Sequence, residues 1–100
     1  MNDHEVLNAD QVLQWAAAHH PWEVGVGSDR LLRTFEFADF GAAMKFMAKV
    51  SPVADEMNHH PEWANVANKV TVELTTHDAG GITPNDLALA EAMSAAAAAV

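Results

Sequence analysis

The spacing of apolar residues changes repeatedly along this chain, and this change constrains the fold more than any other feature. In three segments the apolar residues recur every three or four positions, as on one face of a helix. Between these segments they alternate with polar residues, as in half-buried strands. The resulting order is α-β-β-α-β-β-α, with short turns between paired strands. We therefore predict an α+β fold, αββαββα, in which three helices pack on one face of a four-stranded antiparallel sheet.

Residues that cap helices mark where the predicted helices begin. Asn8 precedes the first helix and has Gln11 three residues later, which is the pattern of a capping box. Asp39 can cap the second helix, and Thr83 followed by Pro84 opens the third. The apolar face of the third helix is predicted at Leu87, Ala90 and Met93.

Prolines set the other helix boundaries. The triplets His19-His20-Pro21 and His59-His60-Pro61 end the first and second helices, because a residue before proline avoids the helical region. Pro52 lies inside the second helical pattern, where it removes a hydrogen bond and clashes with the preceding turn. We expect the second helix to kink there or to split near Val50.

The four strands follow from alternation between turn residues. In the first strand Trp22, Val24 and Val26 alternate with Glu23 and Gly25. A turn at 27–29 leads into the second strand, where an arginine at position 33 falls on the apolar face and makes the alternation imperfect. The strands are predicted at residues 22–26, 30–37, 63–67 and 69–76.

Size and charge limit the classes of protein and partner. The chain has 100 residues, with 5 Lys plus Arg against 14 Asp plus Glu, for a net charge of -9. Such a charge repels nucleic-acid phosphates and anionic membrane surfaces. The absence of cysteine excludes disulfides and thiolate metal sites. We expect one domain over residues 1–100, cytoplasmic and without signal peptide or membrane span, whose small core favours self-association.

Histidines are the residues best suited to carry protons near neutral pH. His59 and His60 lie at a helix-to-strand corner, and His77 ends the last strand before Gly80-Gly81. Adjacent side chains point apart on regular elements, so His59 and His60 converge on one ligand only if the backbone turns.

Two other features have simpler structural interpretations. His19 and His20 are interpreted as a solvated helix end, since their proline is not followed by Glu-Trp. Asp86 lies three residues after Thr83, so a capping role accounts for it without catalysis.

One long motif runs from Asp55 to Asp86. It consists of an acidic Asp55 four before His59-His60-Pro61, the strand Asn65-Val66-Ala67-Asn68-Lys69-Val70, Thr76-His77, Gly81-Ile82-Thr83 and Asp86. This motif resembles that of the pterin-4a-carbinolamine dehydratase family. The similarity also includes Trp22, residues 35–40 and Phe46-Met47, and so covers nearly the whole chain. Ala67 departs from the pattern, because animal relatives have tyrosine there and this chain has no tyrosine.

The resemblance implies a site and a reaction. The implied catalytic residues are His59, His60 and His77. We hypothesise that His59 and His77 transfer protons and that His60 orients the pterin ring. The reaction would dehydrate a 4a-hydroxytetrahydropterin, made by an aromatic amino acid hydroxylase, without metal or redox cofactor. The resemblance also implies a homodimer or homotetramer, and it places Asp55, Pro61, Trp63, Thr76 and Asp78 in or beside the substrate pocket.

Three alternatives stay open at the level of sequence. His59, His60 and His77 could together hold a catalytic zinc ion, since three histidines suffice for one. The fold could also serve as a non-catalytic pterin-binding or regulatory module. Finally, the enzyme could act on a different pterin.

Overall fold

The fold is described from a computed structural model, which defines residues 5–100. Residues 1–4, which include His4 and most of the segment behind the signal-peptide expectation, lie outside the described part. Three helices and four strands follow one another in the predicted order. The helices are α1 (Ala9–Ala18), α2 (Phe40–Met57) and α3 (Pro84–Ala98), and the strands are β1 (Glu23–Val24), β2 (Leu31–Glu36), β3 (Glu62–Val66) and β4 (Lys69–Leu74).

The strands form one antiparallel sheet in the order β1-β2-β4-β3. This confirms the predicted α+β class. Along β4, Val70, Val72 and Leu74 are buried, whereas Thr71 is exposed, so one sheet face is covered and the other is open. The core on the covered face includes Val12, Trp22, Leu31, Phe35, Phe46, Val50, Ile82, Leu89 and Met93.

Arg33 accounts for the imperfect alternation in β2. It pairs with Val72 and so projects onto the covered face. Its guanidinium carbon lies 4.0 Å from the ring centroid of Phe35, and its Nη1 donates to Ser94 Oγ at 2.9 Å. Burial lowers the pKa of Arg33. The arginine packs its stem on apolar surface and its charge on an aromatic face, so the strand keeps its register.

The predicted extent of the first strand is wrong at its end. β1 stops at Val24, and Val26 is fully exposed at 102%. The backbone turns from Gly25, whose carbonyl accepts from Ser28 N at 3.0 Å, and Gly27 has φ 86°. The prediction was too long because the alternation of apolar residues runs on into the turn, beyond the last β1 residue that pairs with β2.

Two predictions about helices are also corrected. Of the two outcomes expected at Pro52, the split near Val50 is wrong, because α2 continues unbroken through Pro52. The expected kink stays a prediction. Pro52 is exposed, while Val50 and Ala54 on either side are buried in the core. Packing of this apolar face outweighs the one lost backbone bond. In α3, Ala90 and Met93 are buried as predicted, but Leu89 is fully buried and Leu87 only partly, so the buried face is rotated slightly from the predicted one.

The predicted helix starts are confirmed. Asn8 and Gln11 form a reciprocal capping box, with both hydrogen bonds at 2.9 Å. Asp39 Oδ1 accepts from Ala42 N at 2.8 Å. Thr83 caps α3, and Pro84 is its first residue.

The β3–β4 hairpin contains a strained alanine that allows a stability prediction. Ala67 has φ 53°, in the left-handed region that is unfavourable for residues with a Cβ. We expect Ala67→Gly to raise the free energy of unfolding by about 0.5–1 kcal/mol, because relief of strain exceeds the entropy cost of glycine. Urea unfolding followed by circular dichroism measures this change. Ala64→Gly, in the adjacent strand, is the control and should lower stability; equal losses in both variants would contradict the prediction.

Candidate active site

The C-terminal end of α2 fixes the backbone at His59. Asn58 adopts φ 51°, and its N–H donates to Asp55 O at 3.1 Å. His59 N donates to Ala54 O at 3.0 Å. These two bonds form a Schellman motif, in which asparagine tolerates the left-handed conformation. The motif reverses the chain and directs His59 back towards the start of α3.

His59 reaches a fully buried carboxylate. Its Nε2 lies 2.5 Å from Asp86 Oδ1, and the side chains are 11% and 0% exposed. Asp86 Oδ2 also accepts from Thr76 Oγ1 at 2.8 Å and from Thr83 N at 2.9 Å. A buried carboxylate needs such donors to offset its loss of water. Asp86 therefore caps α3, as predicted, and also binds His59.

These contacts determine which ring nitrogen of His59 is available. An ionised carboxylate only accepts hydrogen bonds, so the Nε2 of His59 must donate to Asp86. The neutral ring then carries its lone pair on Nδ1, which can accept a proton. Asp86 also balances the positive charge that develops on the ring when Nδ1 is protonated. The pair has the arrangement of a histidine general base held by a carboxylate.

His60 points away from His59. Its Nε2 lies 2.9 Å from Asp55 Oδ1, one α2 turn back from the corner, and the two side chains are 61% and 74% exposed. The backbone turn at Asn58 precedes both histidines, so it does not bring their side chains together. The adjacent histidines bind separate carboxylates, one buried and one in solvent.

His77 has a carboxylate partner of its own. It lies in the loop between β4 and α3, which Thr76 and Gly81 close through a backbone bond from Thr76 N to Gly81 O of 2.9 Å. Its Nε2 contacts Glu62 Oε1, at the start of β3. Each histidine of the predicted triad thus presents Nε2 to a carboxylate, and its Nδ1 forms no hydrogen bond with any residue of the described range 5–100.

Two concavities are candidates for the substrate. One of about 550 Å³ adjoins His59 and is lined by Met57, Asn58, Thr76, Asp78, Ala79 and Asn85. A larger one of about 680 Å³ lies on the open sheet face, between residues such as Glu23, Thr34, Glu62 and Glu73. Both volumes suit a small molecule. We assign the site to the smaller concavity, because it alone of the two is lined by a histidine with a buried carboxylate partner.

The predicted site residues divide into two groups. His59, Thr76 and Asp78 meet in the smaller concavity. His60, Asp55, Pro61 and His77 lie outside its lining. Trp63 projects onto the covered face of β3, with its ring centroid 6.3 Å from that of Phe46, and packs against the core. The roles of these residues stay predictions.

Sequence reasoning missed two contacts and one lining residue of the candidate site. The Asp86 contact joins residues 27 apart and the Glu62 contact joins residues 15 apart, so neither has a local signal. Asn85, which lines the smaller concavity, was also missed. The one sequence signal for a site role of Asp86 was its position in the motif shared with the family.

Among residues 5–100, no group of three or more His, Cys, Asp or Glu side chains is arranged to hold a metal ion. The helices of the same residues include none that is long and apolar enough to cross a membrane.

Comparison with known sequences identifies relatives over most of the chain. A family model described as pterin 4 alpha carbinolamine dehydratase matches residues 5–96. A protein of Paraburkholderia xenovorans, named "Putative pterin-4-alpha-carbinolamine dehydratase", is 45% identical over 87% of this chain and 90% of its own length. A protein of Nitrobacter winogradskyi with the same name is 53% identical over 76% of this chain and 75% of its own.

Solved structures show the same fold. A protein of Brucella melitensis, named a transcriptional coactivator/pterin dehydratase, superposes with a TM-score of 0.89 at 35% identity, covering 93% of this chain and 99% of its own. A pterin dehydratase-like protein described as a RuBisCO assembly factor of the alpha-carboxysome gives a TM-score of 0.67 at 21% identity, covering 79% of this chain and 92% of its own. At that identity the second comparison supports the fold alone.

Proposed function

Because this chain belongs to the pterin 4 alpha carbinolamine dehydratase family, we propose that it is a hydro-lyase that dehydrates a 4a-hydroxytetrahydropterin to the quinonoid dihydropterin and water. The observation that carries the proposal is the placement of His59 beside a concavity: Asp86 holds its Nε2, and no other described residue forms a hydrogen bond with its Nδ1. A histidine held in this way suits proton transfer near neutral pH.

The reaction consists of two proton transfers and one bond cleavage. The C4a–O bond breaks, and the hydroxyl takes a proton from an acid and leaves as water. A base removes a proton from a ring nitrogen, and the electron pair left behind forms the carbon–nitrogen double bond. Positioned acid and base groups each accelerate such a step by about 10²–10⁴-fold.

The histidines supply these groups in the proposal. His59 Nδ1 exchanges a proton with the pterin, and His77 provides the second proton-transfer group. His60, which is exposed and paired with Asp55, orients the ring. The carboxylate of Asp78, in the lining of the smaller concavity, suits the N–H groups of a pterin's amino-pyrimidine edge. Thr76 orders Asp86, while Pro61 and Trp63 shape the start of β3 beside the site.

Several further expectations belong to the same proposal. They are a single domain over residues 1–100, a homodimer or homotetramer, a cytoplasmic location, and an aromatic amino acid hydroxylase that supplies the substrate. The proposal requires no cofactor, since the chemistry needs only acid and base groups.

The test is dehydration of chemically generated 4a-hydroxytetrahydropterin, followed by ultraviolet absorbance. We expect the purified chain to accelerate the loss of water well above the buffer rate, by about 10²-fold or more. The control is the same protein after heat unfolding. A folded sample that gives only the buffer rate would contradict the dehydratase proposal. It would favour a different pterin substrate or a binding role, and equilibrium titration with stable pterins would distinguish these two.

A further inference from the structure

Glu62 lies where the edge strand of the sheet meets the loop that carries His77. It pairs with Glu73 across β3 and β4, so its side chain lies on the open face of the sheet. β4 ends close by, and the chain then turns through Thr76 into the loop. This register places the start of β3 beside His77, and Glu62 Oε1 contacts His77 Nε2.

The loop fixes the backbone of His77 but not its ring. Thr76 O accepts from Ala79 N at 3.1 Å and from Gly80 N at 3.0 Å, and Gly80 has φ 82°. The ring itself is 75% exposed. In the part of the chain that the structure describes, Glu62 is the one side chain that forms a hydrogen bond with this ring. The direction of the ring therefore depends on Glu62.

The charges around Glu62 indicate that this residue does not stabilise the sheet. Like charges directly opposite each other on neighbouring strands are destabilising, and Glu62 faces Glu73. Glu73 has its own counter-charge, because Arg30 Nη1 lies 3.2 Å from its Oε1. Contacts with Asp29 and then Glu73 raise the pKa of Arg30, in keeping with that pairing. Within residues 5–100, the hydrogen-bond partner of the Glu62 carboxylate is the His77 ring.

We propose that Glu62 is a positioning residue that holds the His77 ring through Nε2 and thereby leaves Nδ1 for proton transfer. The proposal rests on the proposed dehydratase function. It extends to His77 the arrangement in which Asp86 holds His59. Because the contact is exposed, its hold on the ring is weaker than that of the buried pair.

The test compares Glu62→Val with Glu73→Val. Both positions lie opposite each other on the same sheet face, and valine suits a strand, so both variants should fold. Side-chain couplings measured by NMR report the χ1 rotamer of His77, and its ring ¹⁵N shifts report the tautomer. Steady-state dehydration of 4a-hydroxytetrahydropterin gives kcat and KM.

We expect Glu62→Val to average the His77 rotamers, to populate both ring tautomers and to lower kcat about threefold to tenfold with KM nearly unchanged. Glu73→Val should change none of these. Three outcomes would each overturn the proposal. They are native couplings and ring shifts in Glu62→Val, equal effects in Glu73→Val, and altered couplings in Glu62→Val with native kcat. If the native chain has no dehydratase activity, the proposed function fails, and the couplings alone still decide whether Glu62 positions His77.

Discussion

Replacement of His59 by alanine is expected to lower kcat for dehydration of 4a-hydroxytetrahydropterin by about 10²–10⁴-fold. His59 is the histidine in the lining of the smaller concavity, and among the histidines of residues 5–100 it alone has a buried carboxylate partner. Loss of its ring removes the proposed proton-transfer group but leaves most of the pocket surface. KM should therefore change much less than kcat. Steady-state rates from the ultraviolet assay give both constants.

Stability must be measured with the same variant. Without the ring, the buried Oδ1 of Asp86 has lost its donor, which costs about 1–3 kcal/mol. His59→Gln is the second variant, because its side-chain amide can donate to Asp86 but cannot transfer a proton near neutral pH. We expect it to lose activity like His59→Ala while regaining stability.

The chain offers a matched control in its other His-His-Pro triplet. His20 precedes Pro21 as His60 precedes Pro61, and it is exposed. His20→Ala should keep native kcat and stability. Comparable activity in His59→Gln, His20→Ala and the native chain would contradict the assignment of His59.

The fold was predictable where local patterns and tertiary packing agree. β4 alternates strictly between Val70, Val72, Leu74 and polar residues, and the structure buries those apolar side chains on one face. Asn8 could be recognised as a cap because its partner Gln11 is three residues away. Prediction failed where tertiary contacts decide. Val26 fits the apolar alternation of the first strand, but the strand ends before it, at the turn that begins at Gly25. Pro52 interrupts the helical pattern in the sequence, but core packing keeps α2 continuous.

Candidate site residues could be chosen from the sequence, but their contacts could not be predicted. The His59-His60-Pro61 corner and His77 were recognised from their position at element ends and from family resemblance. The sequence did not indicate that each of these histidines binds a different carboxylate, because the contacts of His59 and His77 depend on how β3, β4 and α3 assemble. Asp86 illustrates the limit: local sequence accounts fully for its contact with Thr83 N, and nothing local indicates that its other oxygen binds His59.

Replacement of Asp86 by asparagine is therefore expected to separate its two roles. The amide oxygen can replace Oδ2 as acceptor for Thr76 Oγ1 and Thr83 N, so the cap of α3 is kept. The amide NH₂ then faces His59 Nε2, which must become an acceptor, and the ring proton moves to Nδ1. We expect kcat to fall by about 10²–10⁴-fold, since an analogous exchange at another histidine–carboxylate pair costs about 10⁴-fold.

Ring ¹⁵N shifts of His59 measure the change of tautomer directly. They should report Nε2–H in the native chain and Nδ1–H in Asp86→Asn, with similar unfolding midpoints in urea. Asp39→Asn is the control, because Asp39 also accepts a backbone N–H at the start of a helix but contacts no histidine in the described chain. If Asp86 acts only as a cap, both asparagine variants keep native kcat. If Asp86 also sets the tautomer of His59, only Asp86→Asn loses activity. Asp86→Ala, which removes the cap as well, additionally loses about 1–3 kcal/mol of stability, because Thr83 N and His59 Nε2 lose their acceptor.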